Sequence, residues 1–142
     1  MSQQTIRIQQ AFNAPVNTVF QTLSDHQRFG EICGVKMTRI KTGSDSDNGL
    51  GSVRKLNIGP LPSFQETITG FVPNELIEYQ ITQGSPIKNH LGTMRFSEQD
   101  GKTFLDYTIQ LESKIPFTTG LIKSALENGI SKGLQRYARS LA

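Results

Sequence analysis

Five side chains capable of chemistry fall on the apolar face of predicted β-strands. Successive residues of a strand point to opposite faces of its sheet, so every second residue shares a face. By that alternation the polar members of the apolar face are Arg54, Glu66, Tyr79, His90 and Tyr107. Burying an ion costs several kcal/mol unless it is paired or hydrated. We therefore expect this face to line a partly hydrated cavity, since a mostly apolar cavity with a few convergent polar groups is typical of small-molecule sites.

These residue types are suited to binding or to proton transfer. The planar guanidinium of Arg54 can neutralise a carboxylate, hydrogen-bond a carbonyl or stabilise an enolate-like oxygen. Glu66 or His90 would serve as a general base, provided that its pKa lies near the working pH. The candidate catalytic residues are therefore Arg54, Glu66 and His90, although no spacing in the sequence specifies a nucleophile or a triad.

Structural interpretations of the same residues stay open. Arg54 and Glu66 are also compatible with a cross-strand ion pair that contacts no ligand. His90 is compatible with a hydrogen-bonded interior residue, and Tyr79 and Tyr107 with core residues whose hydroxyls are satisfied locally.

Cysteine and histidine are too scarce for a metal centre. Cys33 is the only cysteine, which excludes a disulfide framework and a Cys-rich zinc site, and we interpret it as a packing residue. His26 and His90 are the only histidines, and the carboxylates show no ligand spacing. We expect neither a metal nor a cofactor.

Length and charge indicate one ordinary domain over residues 1–142. Fifteen Lys and Arg against twelve Asp and Glu give a net charge of +3, which is too small and too evenly spread to predict nucleic-acid binding. The start lacks a signal-peptide pattern, and no run of eighteen apolar residues occurs. The expectation is a cytoplasmic domain without integral membrane association.

The hydrophobic pattern predicts the elements that must position these residues. A strand over 5–12 precedes a helix that follows Pro15 and a weaker helix over 27–32. Six strand-like runs follow, divided by Gly, Pro, Asn and Asp clusters: 35–41, 51–58, 64–72, 76–82, 90–97 and 103–111. After residue 116 one apolar stripe marks a long helix. This order predicts an α+β architecture, a seven-stranded antiparallel sheet with helices on one face.

Several short motifs occur in a recognisable order along the chain. They are Ala14-Pro15 before Val19-Phe20 and Leu23-Ser24-Asp25, then Gly51-Ser52-Val53-Arg54, Glu66-Thr67-Ile68, the segment 84–90, and Gly101-Lys102-Thr103 before Leu105-Asp106-Tyr107. In these the whole chain resembles the START/Bet v 1-like (SRPBCC) superfamily, and most of all its bacterial polyketide cyclase/dehydrase-like proteins. The resemblance implies a helix-grip fold, a sheet (β-α-α-β6-α) wrapped around the C-terminal helix with a cavity between them.

Part of the chain is also similar to the plant abscisic-acid receptors. Gly51-Ser52-Val53-Arg54, Gly59-Pro60-Leu61-Pro62, Glu66 and Lys88-Asn89-His90 follow that family's order. The similarity implies that two loops form the cavity mouth, with Gly59, Pro60, Leu61, Pro62, Ser85, Pro86 and Ile87 as their members. His90 stands where those receptors have Tyr, and Lys36 is the candidate for their cavity lysine, so no hormone receptor is inferred.

The alternation of side chains along the strands and the resemblance together predict which residues line the cavity. We expect the ligand-binding residues to be Arg54, Leu56, Phe64, Glu66, Ile68, Ile77, Tyr79, Ile81, His90, Met94, Leu105, Tyr107, Ile109, Leu126 and Ile130.

Three functions fit this expectation. The first is binding of a small hydrophobic molecule: a lipid, quinone, polyketide or aromatic compound. The second, implied by the resemblance, is a polyketide cyclase or dehydratase that uses cavity Arg, Glu, Tyr and His. The third is a protein-interaction or quinone-chaperone role, for which the basic end of the last helix offers Lys132, Arg136 and Arg139, charges that also suit a solvated helix C-terminus.

Overall fold

The computed structural model describes residues 3–58, 62–85, 87–115 and 117–142. The elements are β1 (Gln4–Phe12), α1 (Val16–Ser24), α2 (His26–Cys33), β2 (Lys36–Lys41), β3 (Val53–Asn57), β4 (Phe64–Val72), β5 (Leu76–Gln83), β6 (Ile87–Gln99), β7 (Lys102–Ser113) and α3 (Thr119–Ser140). The predicted order of strand, two helices, six strands and long helix is confirmed.

The strands form one antiparallel sheet in the order β1-β7-β6-β5-β4-β3-β2. The predicted bounds are right for β4, but β6 and β7 run longer than their apolar patterns. Backbone pairing extends β6 to Gln99 and begins β7 at Lys102, because the hydrogen bonds between strands do not depend on apolar side chains. Asp100 and Gly101 close this hairpin with φ of 55° and 77°, the left-handed pair that a tight Asp-Gly turn requires.

The helices lie on the buried face of the sheet. Asp25 begins α2 by accepting a hydrogen bond from the Arg28 backbone N–H at 3.0 Å, and Gly34 ends it with φ of 75°. The α3 helix packs against β1, β7 and α2. At Gly133 a Cβ atom would overlap the backbone carbonyl of Ile32, so this glycine lets α3 approach α2 closely.

Alternate residues of the central strands face the helices and form the core. In β7 the buried residues include Leu105, Tyr107, Ile109 and Leu111, as the alternation predicts. Among the described residues, no helix combines the length and the apolar character needed to cross a membrane.

Candidate functional site

Arg54 and Glu66 form a buried ion pair at the centre of the site. The register of β3 and β4 places them opposite each other. The Arg54 Nε–H donates to Glu66 Oε1 at 2.8 Å, and Arg54 Nη2 lies 2.7 Å from the same oxygen. Both side chains are less than a tenth exposed. Burial disfavours the charged guanidinium, but Glu66, Tyr79 and Tyr107 together outweigh burial and keep the pKa of Arg54 above its usual value.

Aromatic rings surround the guanidinium. Its central carbon lies 4.6 Å from the ring centroid of Tyr79 and 5.4 Å from that of Phe29, within cation–π range. Although Arg54 Nη2 is close to Glu66, the geometry is not that of a hydrogen bond, and this buried nitrogen has no hydrogen-bond partner among the described residues. The site therefore holds a charged group with an unused donor.

His26, the first residue of α2, extends the cluster. Its Nδ1 lies 3.4 Å from Arg54 Nη1 and its Nε2 lies 3.0 Å from Ser52 Oγ. Because the guanidinium only donates, Nδ1 is the acceptor and Nε2–H donates to Ser52. Burial, with help from Arg54 and Arg39, lowers the pKa of His26 to about 3. No local sequence pattern indicates this contact, because it joins residues 28 positions apart.

His90 faces the same carboxylate from the other side. Its Nδ1 accepts a hydrogen bond from the Ile81 backbone N–H at 3.2 Å, and its Nε2 lies 4.0 Å from Glu66 Oε2. Burial lowers the pKa of His90, and Arg54 adds to this effect while Glu66 opposes it. The ring is therefore neutral at pH 7, with its hydrogen on Nε2. A register shift between Lys88 and Leu91 places His90 at this position.

Tyr79 and Tyr107 form a hydrogen bond between their hydroxyl groups on the buried face of the sheet. Burial raises the pKa of both phenols, so both stay protonated at neutral pH. Tyr79 lies directly over Gly92 of the neighbouring strand, where a Cβ atom would overlap its ring. The absence of a side chain at Gly92 therefore makes room for the tyrosine that packs against Arg54.

A cavity of about 380 Å³ lies between this cluster and α3. Of the residues expected to line it, those on its wall are Arg54, Leu56, Phe64, Glu66, Tyr79, Ile81, His90, Tyr107, Ile109, Leu126 and Ile130. Four others are buried core residues that are not among those lining the cavity: Ile68, Ile77, Met94 and Leu105. Alternation gives the correct face for these four, but not where along the strands the cavity ends.

The residues expected to form the cavity mouth lie in different places. Ser85 and Ile87 line the cavity, whereas Pro62 is exposed and does not. Gly59, Pro60, Leu61 and Pro86 lie outside the described residues.

Several lining residues were not predicted. Phe29 and Cys33 belong to α2, Gly34, Val35 and Met37 follow it, Ile58 follows β3, and Ile122, Ala125 and Gly129 belong to α3. The α3 residues lie in the apolar stripe of that helix, beside Leu126 and Ile130. Cys33 also belongs to the wall, and burial raises the pKa of its thiol to about 12, so it is protonated.

Lys36 does not reach the cavity. It lines a separate outer cleft of about 640 Å³ between α2 and β2. Other residues that line this cleft are Asp25, Glu31, Arg39 and Asn48. Its identification as a cavity lysine is wrong because the alternation of β2 points Met37, not Lys36, towards the interior. Within the described ranges, no group of three or more His, Cys, Asp or Glu is placed to hold a metal ion.

Solved structures of low sequence identity share this fold. A START superfamily protein from Mycobacterium smegmatis is 14% identical, aligns over 97% of this chain and 99% of its own, and has a TM-score of 0.80. Truncated norcoclaurine synthase from Thalictrum flavum is 11% identical, aligns over 96% of this chain and 93% of its own, and has a TM-score of 0.71. Ara h 8.0201 is 14% identical, aligns over 98% of this chain and 99% of its own, and has a TM-score of 0.69.

At the level of sequence, no curated protein matches the chain significantly. A family model described as polyketide cyclase / dehydrase and lipid transport matches residues 3–142. Since that match spans nearly the whole length, the chain belongs to the polyketide cyclase/dehydrase and lipid transport family.

Proposed function

We propose that the protein binds a small hydrophobic molecule with one polar group in the cavity between the sheet and α3. The observation that carries this proposal is the composition of the wall. Apolar side chains make up most of it, and Arg54, Glu66 and His90 converge on one part. Its volume of about 380 Å³ falls in the range of small-molecule sites. Burial of apolar ligand surface would drive binding, at about 25 cal/mol per Å².

The polar groups support binding more than proton transfer. His90 Nδ1 is occupied by the Ile81 N–H, which leaves no free ring lone pair to act as a base. The raised pKa values of Tyr79 and Tyr107 disfavour phenolate chemistry. Arg136, one of the basic residues considered for a protein contact, donates to the Ile32 carbonyl at 3.2 Å, which gives it a structural role at the end of α2.

A fluorescence titration with N-phenyl-1-naphthylamine tests the proposal. This neutral probe brightens in apolar surroundings, and we expect saturable binding of one probe per chain. Leu126→Asn, which makes the cavity wall polar, should weaken binding at least about tenfold, or about 1.4 kcal/mol.

The matched control is Leu121→Asn, the same change on the same helix. Leu121 is 75% exposed and does not line the cavity, so its replacement should leave binding unchanged. Absence of saturable binding would overturn the proposal. Loss of binding in the Leu121 variant instead of the Leu126 variant would also overturn it, because the probe would then occupy the exposed apolar surface at Leu121.

A further inference from the structure

We infer that the cavity selects an electrically neutral ligand that presents a carbonyl oxygen, and that it discriminates against a carboxylate of the same shape. The inference rests on the proposed function and specifies the polar end of the ligand.

The charges on the cavity wall already cancel. Among the residues that line it, Arg54 and Glu66 are the charged ones, and they are paired at 2.7 Å. His90 accepts the Ile81 N–H through Nδ1, which fixes the ring in its neutral form. Lys88, which follows the lining residue Ile87, pairs with Glu112 at 3.6 Å. Among the described residues, the wall thus offers an entering anion no unpaired cation.

A carboxylate would therefore be unstable in this cavity. It would either compete with Glu66 for Arg54 or remain buried without a counter-charge, and each arrangement places two carboxylates close together in a mostly apolar space. Both desolvation and like-charge repulsion disfavour the ionised form. A neutral ligand avoids both costs while it buries the same apolar surface.

The unused polar groups at the site include two nitrogens that carry hydrogens. Arg54 Nη2 is a buried nitrogen without a hydrogen-bond partner among the described residues. His90 Nε2–H lies 4.0 Å from Glu66 Oε2, which is too far for a hydrogen bond. A buried donor without an acceptor is unfavourable, so the group that complements this site is a neutral acceptor such as a ketone or quinone carbonyl.

Two matched pairs of probes test the charge selectivity by displacement of N-phenyl-1-naphthylamine at pH 7. They are 2-acetylnaphthalene against 2-naphthoate and 2-undecanone against decanoate. Within each pair a methyl group replaces a carboxylate oxygen, and the apolar part is identical. We expect the ketone to bind at least about tenfold more tightly in both pairs, which corresponds to about 1.4 kcal/mol.

Glu66→Gln provides the second arm, because it leaves the Arg54 charge unpaired. If the variant folds, the preference should shift towards the carboxylate by at least about tenfold. Should it fail to fold, the comparison in the unmodified protein decides alone. Equal or tighter binding of the carboxylates overturns the inference and leaves the proposed function standing. Displacement by neither member of either pair, while the fluorescent probe binds, also overturns it. Absence of fluorescent-probe binding overturns the proposed function itself.

His90→Phe tests the need for an acceptor. It removes the Nε2–H donor and keeps a ring of similar shape. Affinity for 2-acetylnaphthalene should fall several-fold, whereas 2-isopropenylnaphthalene, in which a CH₂ replaces the carbonyl oxygen, should bind no more weakly than before. An equal loss for both compounds would contradict the role of the carbonyl.

Discussion

Arg54 and Glu66 stand directly opposite each other on β3 and β4 and share a buried ion pair of 2.7 Å at the wall of the cavity. The pair explains how a guanidinium and a carboxylate remain charged on an otherwise apolar face. Arg54 also contacts His26, and Glu66 lies 4.0 Å from His90 on the cavity wall.

Removal of one member of this pair should destabilise the protein more than removal of both. Arg54→Met or Glu66→Leu leaves an uncompensated buried charge, and we expect each to lower the free energy of unfolding by about 3–5 kcal/mol. The double variant should be more stable than either single variant, since it buries no charge. Urea denaturation measures all three, and additive losses in the double variant would contradict the coupling.

Gly92 should tolerate no side chain while Tyr79 is present. A Cβ atom there overlaps the Tyr79 ring, so Gly92→Ala should cost about 1–3 kcal/mol through overpacking. In a Tyr79→Ala background the same change should cost much less, because the clashing ring is gone. An equal cost in both backgrounds, measured by urea denaturation, would show that the ring is not the cause.

His26 should make stability fall as the solution becomes acidic. Its pKa is about 3 in the folded protein and about 6.5 in an unfolded chain. Between these values the unfolded chain binds a proton that the folded protein does not. The contribution of His26 is therefore fully present above pH 6.5 and is lost as the pH falls towards 3, with a slope of up to about 1.4 kcal/mol per pH unit.

The variant His26→Gln isolates this contribution. Its amide can still accept from Arg54 and donate to Ser52, but it does not titrate. Urea denaturation from pH 7 to pH 4 should show a shallower pH dependence for the variant than for the unmodified protein. His90 titrates in the same direction, but its effect is common to both proteins. Parallel pH curves would contradict the burial of a neutral His26.

The alternation of apolar residues was sufficient to predict most of this architecture. It gave the six strands after α2, the bounds of β4, and the shared face of Arg54, Glu66, Tyr79 and Tyr107. Period-two alternation is a local property, so one sequence suffices to detect it.

The position of the cavity along the strands depends on packing between distant elements. Phe20 of α1 packs against Phe96 at 5.1 Å and covers part of the sheet. Met94 lies in this core instead of on the cavity wall. Packing between distant elements also places α2 residues on the cavity wall and brings His26 to Arg54. No local pattern encodes the placement of a helix over a sheet.

A bulky side chain added at the cavity wall is the most direct test of ligand binding in this cavity. Gly129 of α3 lines the cavity, and a Cβ atom there would meet no heavy atom within 4 Å. Gly120 of the same helix has equally open surroundings but does not line the cavity. Gly129→Phe should fold normally, because Phe is favoured over Gly within a helix, and should occupy part of the ligand space.

The measurement is the affinity of N-phenyl-1-naphthylamine for Gly129→Phe, Gly120→Phe and the unmodified protein, with melting temperatures as the control for folding. We predict a loss of at least about tenfold for Gly129→Phe and no change for Gly120→Phe, with both variants folded. Unchanged affinity in a folded Gly129→Phe protein would contradict ligand binding in this cavity.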